Sequence, residues 1–276
     1  MIENDSAIGV FDSGVGGVSI LKEIFKILPN ENVIYCADSK NVPWSEKTEI
    51  FLMERIFQII QFLMSKKVKM MIIGSNTATS MALDKAQKEY TIQIQGVIKP
   101  AIQKVIEMTK NKRIGIIGTP VTIKKNLHEQ LIREIEPSMK VFKNACKKDL
   151  IEYVENGFQG DKNIISQEIR RCAKELVIHH HIDTLILGCT QYSFLRKQVE
   201  EEIGTEIKIL DPAESTVLHC RDILQEKKLL NQKVIKGEFK KYVFYNSAQL
   251  EYFKEIIMTL TGLKEKEFEL LQMNIG

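Results

Sequence analysis

The segment with the most chemical scope in this chain is Leu185-Ile186-Leu187-Gly188-Cys189-Thr190-Gln191-Tyr192. A short apolar run meets a glycine and then presents a thiol and a hydroxyl. That pattern predicts a buried strand ending at a tight turn. Met70-Met71-Ile72-Ile73-Gly74-Ser75-Asn76-Thr77 follows the same grammar, with Ser75 where the later segment has Cys189. Parallel sheets carry their chemistry at the carboxyl ends of strands, so both segments are candidate site walls. A free thiol titrates near pH ~8.5, so a modest shift makes it an acid or a base. A serine hydroxyl is a far weaker acid and serves proton transfer poorly at neutral pH.

Two further strand ends share this pattern. Ile8-Gly9-Val10-Phe11 leads into Asp12-Ser13-Gly14-Val15-Gly16-Gly17, and Arg113-Ile114-Gly115-Ile116-Ile117-Gly118 leads into Thr119-Pro120-Val121-Thr122. The first turn lacks the G-x-G-x-x-G spacing of a dinucleotide site. Its glycines still allow close backbone approach to a ligand, and the helix start behind it offers free N–H groups. Asp12 there either does chemistry or caps the helix. The loop Val42-Pro43-Trp44-Ser45 holds the only tryptophan, which either walls a pocket or packs; Ser45 is expected to cap the next helix.

Periodicity supplies the elements that would position these groups. Helices are predicted over 18–28, 78–89, 148–155, 163–179, 193–202 and 248–260, and strands over 32–37, 70–73, 92–97, 140–142, 184–187, 206–210 and 242–245. Strand, turn and helix recur in the same order from residue 113 as from residue 8, which predicts a duplicated α/β unit. The fold class expected is α/β: two pseudo-symmetric, doubly wound, parallel-sheet domains facing each other across an active-site cleft. Residues 1–98 and 209–276 would form the first domain and residues 99–208 the second.

Composition narrows the function. The chain has 276 residues, 39 basic and 36 acidic, for a net charge of +3. That balance gives no electrostatic footprint for nucleic acid or an anionic membrane. The apolar runs are too short or too interrupted to span a bilayer, and the acidic Met1–Asp5 segment does not resemble a signal peptide. Five widely spaced cysteines with no CxxC pair suggest a reduced, cytoplasmic setting. No metal site is expected. His179-His180-His181 are adjacent and cannot converge on one ion from a helix, and Cys36, Cys146, Cys172 and Cys220 read as packing residues.

Taken together, the motifs resemble those of the glutamate racemases, within the cofactor-independent aspartate/glutamate racemase superfamily. The resemblance covers nearly the whole chain. It rests on Gly9 to Gly17, Asp38 with Val42-Pro43, Asn76-Thr77-Ala78-Thr79, Gly118-Thr119 with Thr122, Val154-Glu155-Asn156-Gly157, Gly188-Cys189-Thr190 with Tyr192, and Asp211-Pro212-Ala213. It implies proton transfer at the α-carbon of an amino acid by two opposed groups, one from each domain, with no cofactor. L-Glutamate would be converted to D-glutamate for peptidoglycan. Such chemistry needs the two groups close, dry and on opposite faces. By the resemblance, Cys189 is one thiol and Asp12 and Glu155 are the assisting carboxylates. Ser13, Asn76, Thr77, Thr119, Thr122 and Thr190 hold the ends of the substrate. A homodimer is expected.

Three positions depart from the family pattern. Its first thiol is Ser75 here, its histidine after Gly-Cys-Thr is Gln191, and its Pro-Tyr-Gly turn reads Pro43-Trp44-Ser45. Ser75 fits either a thiol exchanged for a hydroxyl to hold substrate without turnover, or a diverged member; Gln191 and Trp44 favour divergence. The altered turn admits an epimerase of a longer dicarboxylic amino acid such as diaminopimelate. A lone thiol also fits a decarboxylase, as in arylmalonate decarboxylase, and loss of chemistry would leave a ligand-binding protein.

Overall fold

The structure is a computed structural model that describes residues 3–232 and 242–275. Met1 and Ile2 of the acidic leading segment, and residues 233–241 and 276 of the first expected domain, lie outside the described residues. Ten strands are present among those described: β1 (Ile8–Asp12), β2 (Val33–Ala37), β3 (Met70–Ile73), β4 (Gln93–Gly96), β5 (Arg113–Gly118), β6 (Lys140–Ala145), β7 (Thr184–Gly188), β8 (Lys208–Leu210), β9 (Tyr242–Asn246) and β10 (Phe268–Gln272). They form a six-stranded sheet, β10-β9-β2-β1-β3-β4, and a four-stranded sheet, β6-β5-β7-β8. Every ladder is parallel. Parallel sheets are covered on both faces, which is why β1, β3 and β7 are buried at every residue and read as largely apolar runs.

The duplication is visible in the strand order. In the first sheet β2-β1-β3-β4 repeats what β6-β5-β7-β8 does in the second, with β9 and β10 added at the outer edge of the first. β1 matches β5, and β3 matches β7. In each sheet the chain winds outward in opposite directions from this central pair, so a crevice opens beyond their carboxyl ends. Ser13 and Ser75 follow β1 and β3; Thr119 and Cys189 follow β5 and β7. Helix Pro212–Glu226 packs on both Val18–Ile27 and Ile98–Met108, and one apolar core runs through them into both sheets. A second cluster lies under helix Glu49–Ser65 and includes Trp44.

Several element boundaries differ from the sequence reading. The helix expected from 78 begins at Asn76, because Ser75 caps it by accepting Ala78 N–H at 3.4 Å. Ser45 caps nothing: it sits in a 3-10 turn, Trp44–Glu46, and Thr48 takes the capping role by accepting Phe51 N–H at 3.2 Å. The stretch after Cys189 is first a 3-10 helix, Thr190–Leu195, and only then α-helical over Arg196–Ile203. β10 was not expected, since Phe268–Gln272 carries no period-two pattern or flanking turn signal.

Candidate active site

Four strand ends converge on one small cavity of about 20 Å³, walled by Ser13, Pro43, Trp44, Ser45, Ser75, Asn76, Thr77, Thr119, Ile151, Cys189, Thr190 and Gln191. Asp12 and Glu155 do not wall it but stand directly behind. Thr122 stands behind through Thr119. The structure thus brings together all fourteen residues singled out in the sequence.

Asp12 ends β1 and is 1% exposed. Its Oδ1 accepts Ser13 N–H at 2.7 Å, and its Oδ2 accepts the Thr190 hydroxyl at 2.7 Å. Burial lifts its carboxyl to about 7, against the pull of bonds from Thr190, Ser13 and Ser75. Thr190 comes from the second sheet and Ser75 from the first, so Asp12 ties both halves together. Gly16 makes this approach possible. A Cβ there would lie 2.5 Å from Thr190 Oγ1 and 2.7 Å from Asp12 Oδ2.

Glu155 closes helix Asp149–Glu155 and reaches across to the glycine turn, where Val15 N–H donates to Oε1 at 2.9 Å. Its residue surface is partly open, but the carboxylate points inward, and desolvation lifts it to about 7. Gln191 Nε2 donates to Glu155 Oε1 at 2.8 Å, and Gln191 Oε1 accepts the Cys189 thiol at 3.0 Å. Gln191 is therefore a bridge from thiol to carboxylate. Burial, with the charges of Asp12 and Glu155 nearby, holds the Cys189 thiol well above its ordinary pKa. At neutral pH this thiol keeps its proton.

The opposite end of the cavity is made of hydroxyl and amide groups. Thr77 Oγ1 lies 3.2 Å from both Thr119 Oγ1 and Thr122 Oγ1, and the Thr119 hydroxyl donates to Thr122 at 3.0 Å. Thr119 also caps helix Pro120–Lys125. Asn76 Oδ1 faces His128 Nε2 at 3.2 Å, while Asn76 Nδ2 is buried and has no protein partner among the described residues. Sequence reasoning missed His128: a lone histidine at 3% exposure in helix Leu127–Ile135 carries no motif. Trp44 is 2% exposed, and its Nε1 donates to Asp38 Oδ2 at 3.1 Å, so it both packs and walls the cavity.

Away from the cavity, His180 stacks on Phe142 with centroids 4.2 Å apart. Cys146, Glu168 and Cys172 bring ligand-type atoms within 4.8 Å of one another. The Glu168 carboxylate there already accepts Arg171 Nε at 2.8 Å and Lys147 N–H at 2.6 Å.

Paired parallel α/β units with a thiol and a hydroxyl at equivalent strand ends define a cleft built for opposed-face chemistry. Comparison with known proteins agrees. The family model for Asp/Glu/Hydantoin racemases matches residues 8–220, and the chain belongs to that family. It is 34% identical to a glutamate racemase of Geobacter metallireducens over 86% of this chain and 87% of that protein. It superposes on a glutamate racemase isoform of Bacillus anthracis with a TM-score of 0.89 at 30% identity, covering 99% and 98% of the two chains. A Francisella tularensis glutamate racemase solved with D-glutamate matches with a TM-score of 0.84 at 28% identity, covering 98% of each chain.

Proposed function

We propose that this chain is a cofactor-independent glutamate racemase acting by proton transfer on opposite faces of the α-carbon. The observation that carries the reading is that Ser75 and Cys189, at equivalent ends of β3 and β7 in two separate sheets, wall one small cavity. On one face the Cys189 thiol, which rests protonated, gives its proton to the α-carbon, and the thiolate so formed takes one in the reverse direction; Gln191 and Glu155 set its environment. On the other face the α-proton passes through the Ser75 hydroxyl to the Asp12 carboxylate and returns by the same route in the reverse direction. The Ser75 hydroxyl bonds Asp12, a carboxyl that titrates near neutrality. Asp12 and Glu155 also offer negative charge to the substrate ammonium. Asn76 and the three threonines offer donors to a carboxylate. Replacing the first thiol by a hydroxyl predicts slow turnover, because a hydroxyl exchanges its own proton reluctantly at neutral pH.

The alternatives fit the cavity less well. Arylmalonate-type decarboxylation wants an apolar pocket around one carboxylate, whereas Ser13, Ser45, Asn76, Thr77, Thr119 and Thr190 line this one. Diaminopimelate is longer than glutamate and asks more room of a space walled by Trp44. The division into 1–98 with 209–276 and 99–208 belongs to the proposal, its second seam moved on from 208/209 to after Leu210, since all of β8, Lys208–Leu210, pairs with β7. So does a homodimer, which sedimentation velocity tests. A reduced cytoplasmic setting accords with five unpaired cysteines, and no helix among the described residues is long and apolar enough to cross a membrane.

The deciding experiment follows α-proton exchange of L- and D-glutamate in deuterium oxide by NMR. The chain should exchange slowly, Ser75→Cys should exchange faster by at least tenfold, and Cys189→Ala should abolish exchange in both backgrounds. Aspartate and diaminopimelate should exchange more slowly than glutamate. No exchange of any of these amino acids by the parent or by Ser75→Cys would sink the racemase reading and leave a binding protein.

A further inference from the structure

We infer that His128 is a positioning residue: it fixes the Asn76 side chain so that Nδ2 faces the cavity and receives a carboxylate of the substrate. This rests on the glutamate reading above and adds a residue and a role to it. A primary amide has one accepting and one donating end. His128 Nε2 lies 3.2 Å from Asn76 Oδ1, which leaves Nδ2 as the end directed away from the ring. Burial pushes the imidazole down to about 4, so at working pH the ring is neutral with a single N–H. Carried on Nε2, that proton donates to Oδ1 and locks the amide. The reverse arrangement would present a carbonyl oxygen to the cavity and repel a carboxylate. Nδ2 is buried with no partner among the described residues. A donor left this way is costly unless a ligand completes it.

The surroundings identify the ligand's chemistry. Asn76 opens the helix Asn76–Glu89, whose first N–H groups and positive end face the same region. Thr77, Thr119 and Thr122 add hydroxyls. A donor-rich pocket with no carboxylate among these groups takes an anion. His128 also reaches Asn76 from the other sheet's half: its helix follows β5, whereas Asn76 follows β3. The amide is therefore aligned only when the two halves are together, which couples closure to recognition.

The test is calorimetric titration of D-glutamate into the parent chain, His128→Leu, His128→Gln, Asn76→Ala and the Asn76→Ala/His128→Leu pair, with melting temperatures taken in parallel. His128→Leu keeps the volume but removes the donor, and should weaken binding roughly tenfold or more, as for loss of one charge-assisted bond. His128→Gln returns an N–H near the same place and should bind within roughly threefold of the parent. The paired variant should bind no worse than Asn76→Ala alone, because His128 acts through Asn76. Parent binding left unchanged by His128→Leu would overturn the inference. So would equal losses in the Leu and Gln variants that add to the loss in Asn76→Ala, which would assign His128 to packing. A parent that binds no glutamate would overturn the glutamate reading and this inference with it.

Discussion

At the scale of single residues, the site is defined by carboxyls that resist ionising. Asp12 and Glu155 are each lifted to about 7 from ordinary values of 3.8 and 4.5, chiefly by burial. Each therefore holds its proton longer in the folded chain than in the unfolded one. Below about pH 4 both states are protonated and burial costs nothing on this account. As pH rises from about 4 to 7 the unfolded chain ionises first, so stability falls, and the loss is complete above about pH 7. For Asp12 alone the penalty is on the order of 4 kcal/mol. Thermal melts of the ligand-free chain should drop across this window, and Asp12→Asn should flatten the drop and melt above the parent at pH 8. Parallel curves for the two proteins would show that Asp12 ionises normally. Gln191 makes a second residue-level prediction. Gln191→Leu strips a partner from both the Cys189 thiol and the Glu155 carboxylate. It should cost about 1–3 kcal/mol in urea unfolding and slow exchange roughly tenfold. Unchanged exchange would remove the Cys189–Gln191–Glu155 bridge from the mechanism.

At the scale of elements, position 75 has two jobs that conflict. Its side chain caps the helix Asn76–Glu89 and also walls the cavity. A hydroxyl is a good cap and a poor proton carrier; a thiol reverses this. Ser75→Cys should therefore lower stability by about 0.5–1 kcal/mol while raising exchange. Urea unfolding beside the NMR assay reads both, and a variant that gained activity with no loss of stability would show that the cap is idle. The strand ends were legible in the sequence because each pairs an apolar run with a glycine and a hydroxyl or thiol, and uniform apolar runs leave little freedom in a parallel sheet. Ser75 as a cap was less legible, since the helix opens with the polar pair Asn76-Thr77 and its apolar periodicity starts only at Ala78. Trp44 was readable as a wall or a core residue and is both. β10 and His128 were not readable. The first is an edge strand defined by pairing with β9, and the second acquires its role only when two helices from different halves meet.

At the scale of the whole molecule, the cavity of about 20 Å³ has room for roughly one water and none for an amino acid. We predict that the two halves part before substrate enters. The shared core along helices Val18–Ile27, Ile98–Met108 and Pro212–Glu226 is continuous and apolar, so the parting falls on the opposite side, where the contacts are polar. The hydroxyls of Thr77, Thr119 and Thr122 meet there. Two ion pairs also cross it, Lys125 to Glu49 at 2.9 Å and Lys148 to Glu46 at 3.6 Å. Both pairs are solvent-facing, so each contributes only about 0.2–1 kcal/mol. Together they would favour the closed arrangement only weakly. Lys125→Glu/Lys148→Glu turns both attractions into repulsions and should favour the open state. Glutamate association should then quicken and its dissociation quicken more, for an affinity loss of roughly two- to tenfold. Added salt should move the parent in the same direction and the variant in the reverse. Trp44 is the only tryptophan and walls the cavity, so stopped-flow fluorescence reads closure directly. Identical association and dissociation rates in parent and variant, at low salt and high, would mean that the polar side does not open and that substrate enters elsewhere.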